Sequence, residues 1–423
     1  MPHPFIIIFG KAIRYVARLR GGGSALPGLF VEKISPDFIK QTLAQSPRGI
    51  VVISGTNGKT TTTKMVVALL EGHGLKVFTN RTGSNFSRGV AAALLGDIDV
   101  KGNLNADIAV LELDEAHAVT FVQAVPPRYS LLLNVMRDQL DRFGEIDTTA
   151  KMLEKIASAT TDTVVLNRED KRVLAIKDTL QNQKVELFGL SDALLTDFPS
   201  DDEMRSVEVK KVQRPSAHVV LKKYSGNTAT YDIGSQEFST TLKLNGVYNV
   251  FNSAAAIALA SAILGTEMKS DIIISTIALV RPAFGRGEEL EVGGLPLELV
   301  LVKNPSGFRL GLKSFSPVGY ATMIAINDNY ADGRDMSWLW DVDFESLSNE
   351  GVAEVAGIRA YDMALRLQYD EVNIGHIERD LTTALRQFIN NNTDQPKRIY
   401  CTYTAMLALR RELGKITKVE VIS

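Results

Sequence analysis

The residues whose types and spacing point most directly to chemistry stand in Gly55-Thr56-Asn57-Gly58-Lys59-Thr60-Thr61. Gly55 and Gly58 carry no Cβ, so backbone N–H groups between them can close on a phosphate. Lys59 offers those oxygens a positive charge, and Thr60 offers a hydroxyl suited to Mg2+. The pattern G-x-x-G-K-T is two residues shorter than the common phosphate loop G-x-x-x-x-G-K-[ST]. For these groups to converge, a strand must deliver the loop, and a helix must leave it with its positive end toward the anion. Val51-Val52-Ile53 precedes the loop and the apolar run Met65–Leu70 follows it, so strand, loop and helix are expected in that order.

A carboxylate is wanted next to such a loop if a metal is to sit there. The run Ile108–Glu115 is expected to be a strand ending in Glu112, Asp114 and Glu115. At the carboxyl end of a strand those acids would face the phosphate loop; the alternative is a solvated acidic loop. Tyr129–Val135 is a further strand leading into Met136–Gly144, which carries Asp138, Gln139, Asp141 and Arg142. Thr163–Leu166 runs into Asn167, Arg168, Glu169 and Asp170. Asn80 opens another polar loop that could face phosphates or substrate. Strands alternating with helices predict an α/β fold with a doubly wound, mostly parallel sheet.

Residues 185–245 change character. Val207–Val212, Ala217–Lys223 and Ala229–Ile233 read as short antiparallel strands, with a turn at Ser225-Gly226-Asn227. Helices are expected over Ser253–Leu264 and Ser270–Leu279. Arg286, set between two glycines, is long enough to reach a phosphate. From residue 291 a second α/β unit begins, with strands Leu297–Leu301 and Ala321–Ile326. Its loop Asn327–Asp341 holds both tryptophans, Trp338 and Trp340, among aspartates. That loop reads equally as a packed segment with an aromatic anchor or as a partner or catalytic surface. The expected domains are an N-terminal arm over 1–46, a central nucleotide-binding domain over 47–290 and a C-terminal α/β domain over 291–423.

Composition narrows the class. The 423 residues are 45% hydrophobic with a net charge of −2, which fits globular domains and gives no sign of nucleic-acid binding. A single cysteine, Cys401, rules out an intramolecular disulfide framework and a cysteine-based zinc ribbon. A cytosolic location is the simple expectation. No apolar run is expected to reach the length needed to cross a bilayer, and Phe5–Phe9 is too short and lacks a signal-peptide layout. Lys11, Arg14, Arg18 and Arg20 are spaced as on one helix. An ordinary packing helix is the favoured reading, and a membrane-surface contact the sharper alternative.

Taken together, the motifs resemble the Mur ligase superfamily. They are Gly55–Thr60, Glu112 with Asp114 and Glu115, Asn134 with Asp138-Gln139-Leu140-Asp141-Arg142, Asn167 with Asp170, Gly246-Val247-Tyr248-Asn249 with Asn252, and Phe284-Gly285-Arg286. The resemblance implies an ATP-dependent ligase that turns a carboxylate into an acyl phosphate for attack by nitrogen. It implies that Lys59 holds phosphates, Thr60 and Glu112 serve Mg2+, Arg286 touches the γ-phosphate, and Asn167 and Asn249 contact the nucleotide. Gln139 stands where most amino-acid-adding members have histidine, and their carbamylated lysine corresponds only loosely to Lys151. Their UDP-sugar domain has no counterpart in the short N-terminal arm.

Within that superfamily the chain resembles the MurT family, the synthetase subunits of lipid II isoglutaminyl synthases. The similarity rests on Gly21–Gly28, Leu301–Pro305, the Asp332–Glu345 loop, Gly357–Ala364 and Thr402–Met406. It implies amidation of the D-glutamate α-carboxyl of lipid II, with ammonia from a GatD-type glutaminase partner, in the cytoplasm at the inner membrane face. It also implies that an aspartate completes the partner's Cys-His triad. Asp335 is the expected residue, with Asp332 and Asp341 behind it. Many members carry a four-cysteine zinc ribbon, so this chain is expected to hold no zinc. The alternatives are a folylpolyglutamate-synthase-like ligase and a non-catalytic nucleotide-binding scaffold.

Overall fold

The computed structural model describes residues 4–19, 26–80, 86–137, 146–198, 214–234, 236–244, 246–281 and 286–419. Ile50–Ser54 (β1) is buried along its whole length, as a strand covered on both faces by helices must be. It pairs in parallel with Ile108–Glu112 (β3) on one side and Tyr129–Leu132 (β4) on the other. Val77–Thr79 (β2) flanks β3, and Thr163–Asn167 (β5), Lys184–Leu190 (β6) and Val219–Ser225 (β7) continue in parallel beyond β4. Thr228–Ile233 (β8) and Gln236–Thr241 (β9) then add antiparallel strands. The sheet order is β2-β3-β1-β4-β5-β6-β7-β8-β9. This is the mostly parallel sheet with a β-rich extension that the sequence predicts. Strands β6 and β9 were not expected from it; β9, Gln236–Thr241, is a polar edge strand with little apolar alternation. The expected strand Val207–Val212 lies outside the described residues.

The helices of this unit are Pro4–Leu19 (α1), Leu26–Ile34 (α2), Phe38–Leu43 (α3), Lys59–Gly72 (α4), Ser87–Asp97 (α5), Glu115–Ala124 (α6), Ile146–Ala159 (α7), Lys171–Ala175 (α8), Val247–Leu264 (α9) and Ser270–Leu279 (α10). The expected strand Ile108–Glu115 is shorter than the sequence suggests. It stops at Glu112, and Glu115 is the first residue of α6. Only Glu112 of the three acids is therefore a strand residue. A second expectation is also corrected. The helix Val247–Glu267 is long and apolar enough to cross a membrane by length and composition, although Asn249 and Asn252 interrupt the run in sequence. Ala254–Ala260 are fully buried, so the fold spends this helix on its own core.

A second, six-stranded sheet is ordered β10-β11-β15-β12-β13-β14. Its strands are Arg286–Val292 (β10), Leu295–Leu301 (β11), Ala321–Ala325 (β12), Val352–Ala356 (β13), Ile374–Glu378 (β14) and Lys397–Cys401 (β15). All pair in parallel except the β10–β11 hairpin. Helices Pro305–Ser314 (α11), Ala360–Tyr369 (α12), Leu381–Asn391 (α13) and Tyr403–Leu413 (α14) complete the unit. Two apolar clusters build its core, one around Phe308, Trp338, Phe344 and Tyr400 and one around Leu299, Met323, Phe388 and Met406. Cys401 lies inside the second, on a strand flanked on both sides.

Contacts divide the chain into two compact units. The first holds residues up to Val135, Asp147–Lys243 and Asn249–Val280; the second holds Leu244–Tyr248 and everything from Arg281, with Met136 and Arg137.

Candidate functional site

The phosphate loop leaves β1 at its carboxyl end and enters α4 at Lys59. Gly58 has φ of 89°, in the left-handed region that side-chain-bearing residues avoid. A Cβ there would stand 2.6 Å from Oδ1 of Asn252, so the glycine also lets α9 approach the loop. Asn249 lies three residues earlier on α9, on the same helical face.

Asn134, just past β4, holds the loop in shape. Its Oδ1 accepts from the Asn57 amide at 2.8 Å, its Nδ2 donates to the Asn57 carbonyl at 3.0 Å, and its own carbonyl accepts from Thr56 N at 3.0 Å. Asn80, at the end of β2, plays the matching part on the other side. Its amide donates to the Glu112 carbonyl at 2.8 Å and accepts from the Glu112 N–H at 3.0 Å. The sequence placed Asn80 in a loop facing phosphates or substrate; its side chain instead locks two strand ends together. Residues 81–85 of that loop lie outside the described residues.

Within this frame the expected metal pair meets. Thr60 Oγ1 donates to Glu112 Oε1 at 2.8 Å, and Glu112 is buried. Lys59 is buried too, and its ammonium contacts the Gly55 carbonyl at 2.5 Å and Glu115 Oε1 at 3.4 Å. Glu115, one of the three acids the sequence expects beside the loop, serves here as the counter-ion of Lys59, first in the helix that follows the Glu112 strand. Thr61 is buried in the first turn of α4.

Asn167 ends β5, two strands from β1. Its Nδ2 donates to the Leu133 carbonyl at 2.8 Å and its Oδ1 accepts from Glu169 N at 2.9 Å, so both ends of the amide bind strand-end backbone. Asp170 caps α8, accepting from Arg172 N and Val173 N at 3.0 Å and from Val135 N at 2.6 Å. Burial pushes its carboxyl up in pKa against those three bonds. Lys151 is exposed on α7 beside Val119 and Gln123. Asp138, Gln139 and Asp141 lie outside the described residues. Arg286 begins β10 in the second unit, and its side chain is outside the described part.

In the second unit the three candidate aspartates separate clearly. Asp332 is buried and accepts from Thr404 N at 2.7 Å, Thr404 Oγ1 at 2.5 Å and Asn329 N at 3.1 Å. Burial raises its pKa. Asp341 pairs with Arg137 at 3.1 Å. Asp335 is partly exposed and accepts from Ser337 N at 2.9 Å. Hydrogen bonding from Ser337, with Arg137 nearby, holds its carboxyl below the usual aspartate range. Trp338 is the buried anchor, edge-on to Phe308, whereas Trp340 is half exposed against Tyr369 and Arg366. Trp338 thus supplies the aromatic anchor, and Trp340 stands at the surface.

The Mur ligase middle-domain family matches residues 53–260. The fold agrees: a MurF structure from Acinetobacter baumannii superposes with a TM-score of 0.69 at 15% identity, over 90% of this chain and 79% of that one. Sheet and phosphate loop together define a Mur ligase-like fold. The MurT ligase C-terminal family matches residues 301–406. The MurT subunit of lipid II isoglutaminyl synthase (glutamine-hydrolyzing) from Streptococcus pneumoniae is 32% identical, over 96% of each chain. Its namesake from Staphylococcus aureus strain COL is 28% identical, over 89% of this chain and 90% of that one. The chain belongs to the MurT family of ligase subunits.

Proposed function

We propose that this chain uses ATP to activate the α-carboxyl of D-glutamate in the lipid II stem peptide and amidates it with ammonia from a GatD-type glutaminase. The observation that carries the reading is the Thr60–Glu112 hydrogen bond beside Lys59 in the phosphate loop. The names of the S. pneumoniae and S. aureus relatives supply the substrate and the glutamine. The C-terminal match over residues 301–406 favours it over a folate-type ligase.

In this reading a carboxylate oxygen attacks the γ-phosphorus, the bond to the β,γ-bridging oxygen breaks, and ADP leaves. The lone pair of ammonia then attacks the acyl carbon of the acyl phosphate. The C–O bond to phosphate breaks, and the nitrogen loses a proton to water. Two anions must meet in the first step, so fixed positive charge is needed. Lys59 provides it from the loop, and Arg286 acts at the γ-phosphate. Thr60 and Glu112 are hard oxygen donors of the kind that hold Mg2+. When bound, the ion neutralises charge on the phosphate oxygens. Asn249 faces the nucleotide from α9, and Asn167 acts at the nucleotide site through the strand ends it holds. Asp335 orients the partner's catalytic histidine. Its partial exposure supports that choice, since Asp332 is buried under three hydrogen bonds and Asp341 is paired with Arg137. The chain works in the cytoplasm, at the inner face of the membrane.

The test is incubation with ATP, Mg2+, ammonium and lipid II, with mass spectrometry of the product. Conversion of one carboxyl to a carboxamide is expected. ATP turnover on a folate or another glutamyl acid, with lipid II untouched, would overturn the substrate.

A further inference from the structure

Helix α1 is oriented against the usual rule for a surface helix. Its inner stripe holds Ile7, Gly10, Lys11 and Arg14. A Cβ on Gly10 would lie 2.9 Å from Val31 of α2 and 2.8 Å from Leu95 of α5, so this face is packed tightly. The Lys11 ammonium donates to the Ile98 carbonyl at 2.6 Å, just past α5. The Arg14 guanidinium crosses Gly96, where a Cβ would stand 1.9 Å from it. Both cations thus serve the negative end of α5. The outward face is apolar: Ile8 is 59% exposed, Phe9 43% and Tyr15 67%, with Ala12 between them. Helix α2, packed on α1, exposes Phe30 at 43% and Ile34 at 52% beside exposed Lys33.

Scattered exposed apolar residues need no explanation, but a helix that turns Lys11 and Arg14 inward and Ile8, Phe9 and Tyr15 outward does. Charge selects the occupant. The first 35 residues carry five cations against one acid, Glu32, in a chain whose net charge is −2; Lys11 and Arg14 are engaged with α5, while Lys33 stands exposed beside Phe30 and Ile34. Aliphatic and aromatic side chains on a basic helix pair are the features of a segment lying in the headgroup region of an anionic bilayer.

We propose that the outer face of α1, with Phe30, Lys33 and Ile34 of α2, docks the protein onto an anionic membrane surface. The inference deepens the reading of a lipid-linked substrate and rests on it for its biological sense. It differs from a basic-face contact, because Arg14 is engaged with α5.

The experiment is flotation of the full chain with vesicles of phosphatidylglycerol and phosphatidylcholine, and with phosphatidylcholine alone. Two variants are compared, Ile8→Ser/Phe9→Ser/Tyr15→Ser and Phe30→Ser/Ile34→Ser. Binding to the anionic vesicles is expected, weakened by salt and by lack of phosphatidylglycerol. Each variant should bind roughly tenfold more weakly or worse, while amidation of detergent-dispersed lipid II with ammonium stays at the parent rate. No flotation of the parent, or flotation unchanged in both variants, would overturn the proposal. Self-association of the parent in sedimentation, lost in the variants without any vesicle binding, would assign the face to a second copy and overturn it equally. Flotation needs neither ATP nor lipid II, so it can fail while the ligase reading stands, and the reverse.

Discussion

Two loops in this molecule carry the proposed chemistry, and they are built by opposite means. The phosphate loop is shaped by backbone. Gly55 and Gly58 take positive φ, Asn134 clamps Thr56 and Asn57, and one helix starts directly from the turn. The Asp335 loop is shaped by side chains. Trp338 sinks into the core, Asp332 ties the loop to Thr404, and Arg366 donates to the Val342 carbonyl at 2.6 Å. A backbone-built site demands particular residues at fixed spacing and so leaves a motif. A packing-built site needs only an anchor of suitable shape, and many sequences can provide one.

The sharpest test of that contrast is to disable each loop and ask which half of the reaction stops. Asp335→Asn is expected to cut glutamine-driven amidation by roughly 10³–10⁴-fold, leaving ammonium-driven amidation intact. Equal loss with both nitrogen sources would break the assignment. Lys59→Ala is expected to cut both rates by roughly 10³-fold. Retained turnover with ammonium would remove the phosphate loop from the chemistry.

Next in size are effects on folding. Asp332→Ala removes an acceptor that serves Thr404 and Asn329 from a buried position, and a loss of about 2–4 kcal/mol is expected in urea unfolding. A smaller cost, about 1–3 kcal/mol, is expected for Gly58→Ala from positive φ. That variant should also lose nucleotide affinity, since its methyl meets Asn252. If Gly58→Ala proved neutral in both respects, the backbone account of the first loop would fail.

The smallest expected effect lies outside both loops. Glu354 is buried on β13, 3.1 Å from His376 and near Glu378, and burial raises its pKa. A raised folded-state pKa means this group's contribution is full below the unfolded value of about 4.3 and is lost as pH rises through the folded value. Glu354→Gln should therefore stabilise the protein at pH 8, by about 1 kcal/mol or less. The gain should shrink as pH falls toward 4. A gain independent of pH would point to packing instead.

What could be read from the sequence follows the same division. Residues 50–60 disclosed strand, loop and helix because period, glycine and lysine all agreed. Glu112, Asp114 and Glu115 drew attention because a metal site needs an acid at a strand end, and the choice of Glu112 among them came from resemblance. Glu115 and Asn80 were named, but their parts as counter-ion and strand clasp were not foreseen, since neither part has a spacing rule of its own. The long apolar stretch of α9 was missed because its asparagines break the run in one dimension while its alanines still pack in three. Asp335 came from resemblance, and only the structure separates it from Asp332 by burial.

Cys401 has a consequence of a different kind. It is the single thiol in the chain, sits at 0% exposure between β11 and β12, and has its pKa pushed up by burial. Alkylation therefore waits for the second sheet to open, while the first unit, having no thiol, is silent to the reagent. The chain thus contains its own stopwatch for the opening of one unit. The labelling rate, followed as a glutaminase subunit is titrated in, would register the grip of that partner with no dye or tag attached.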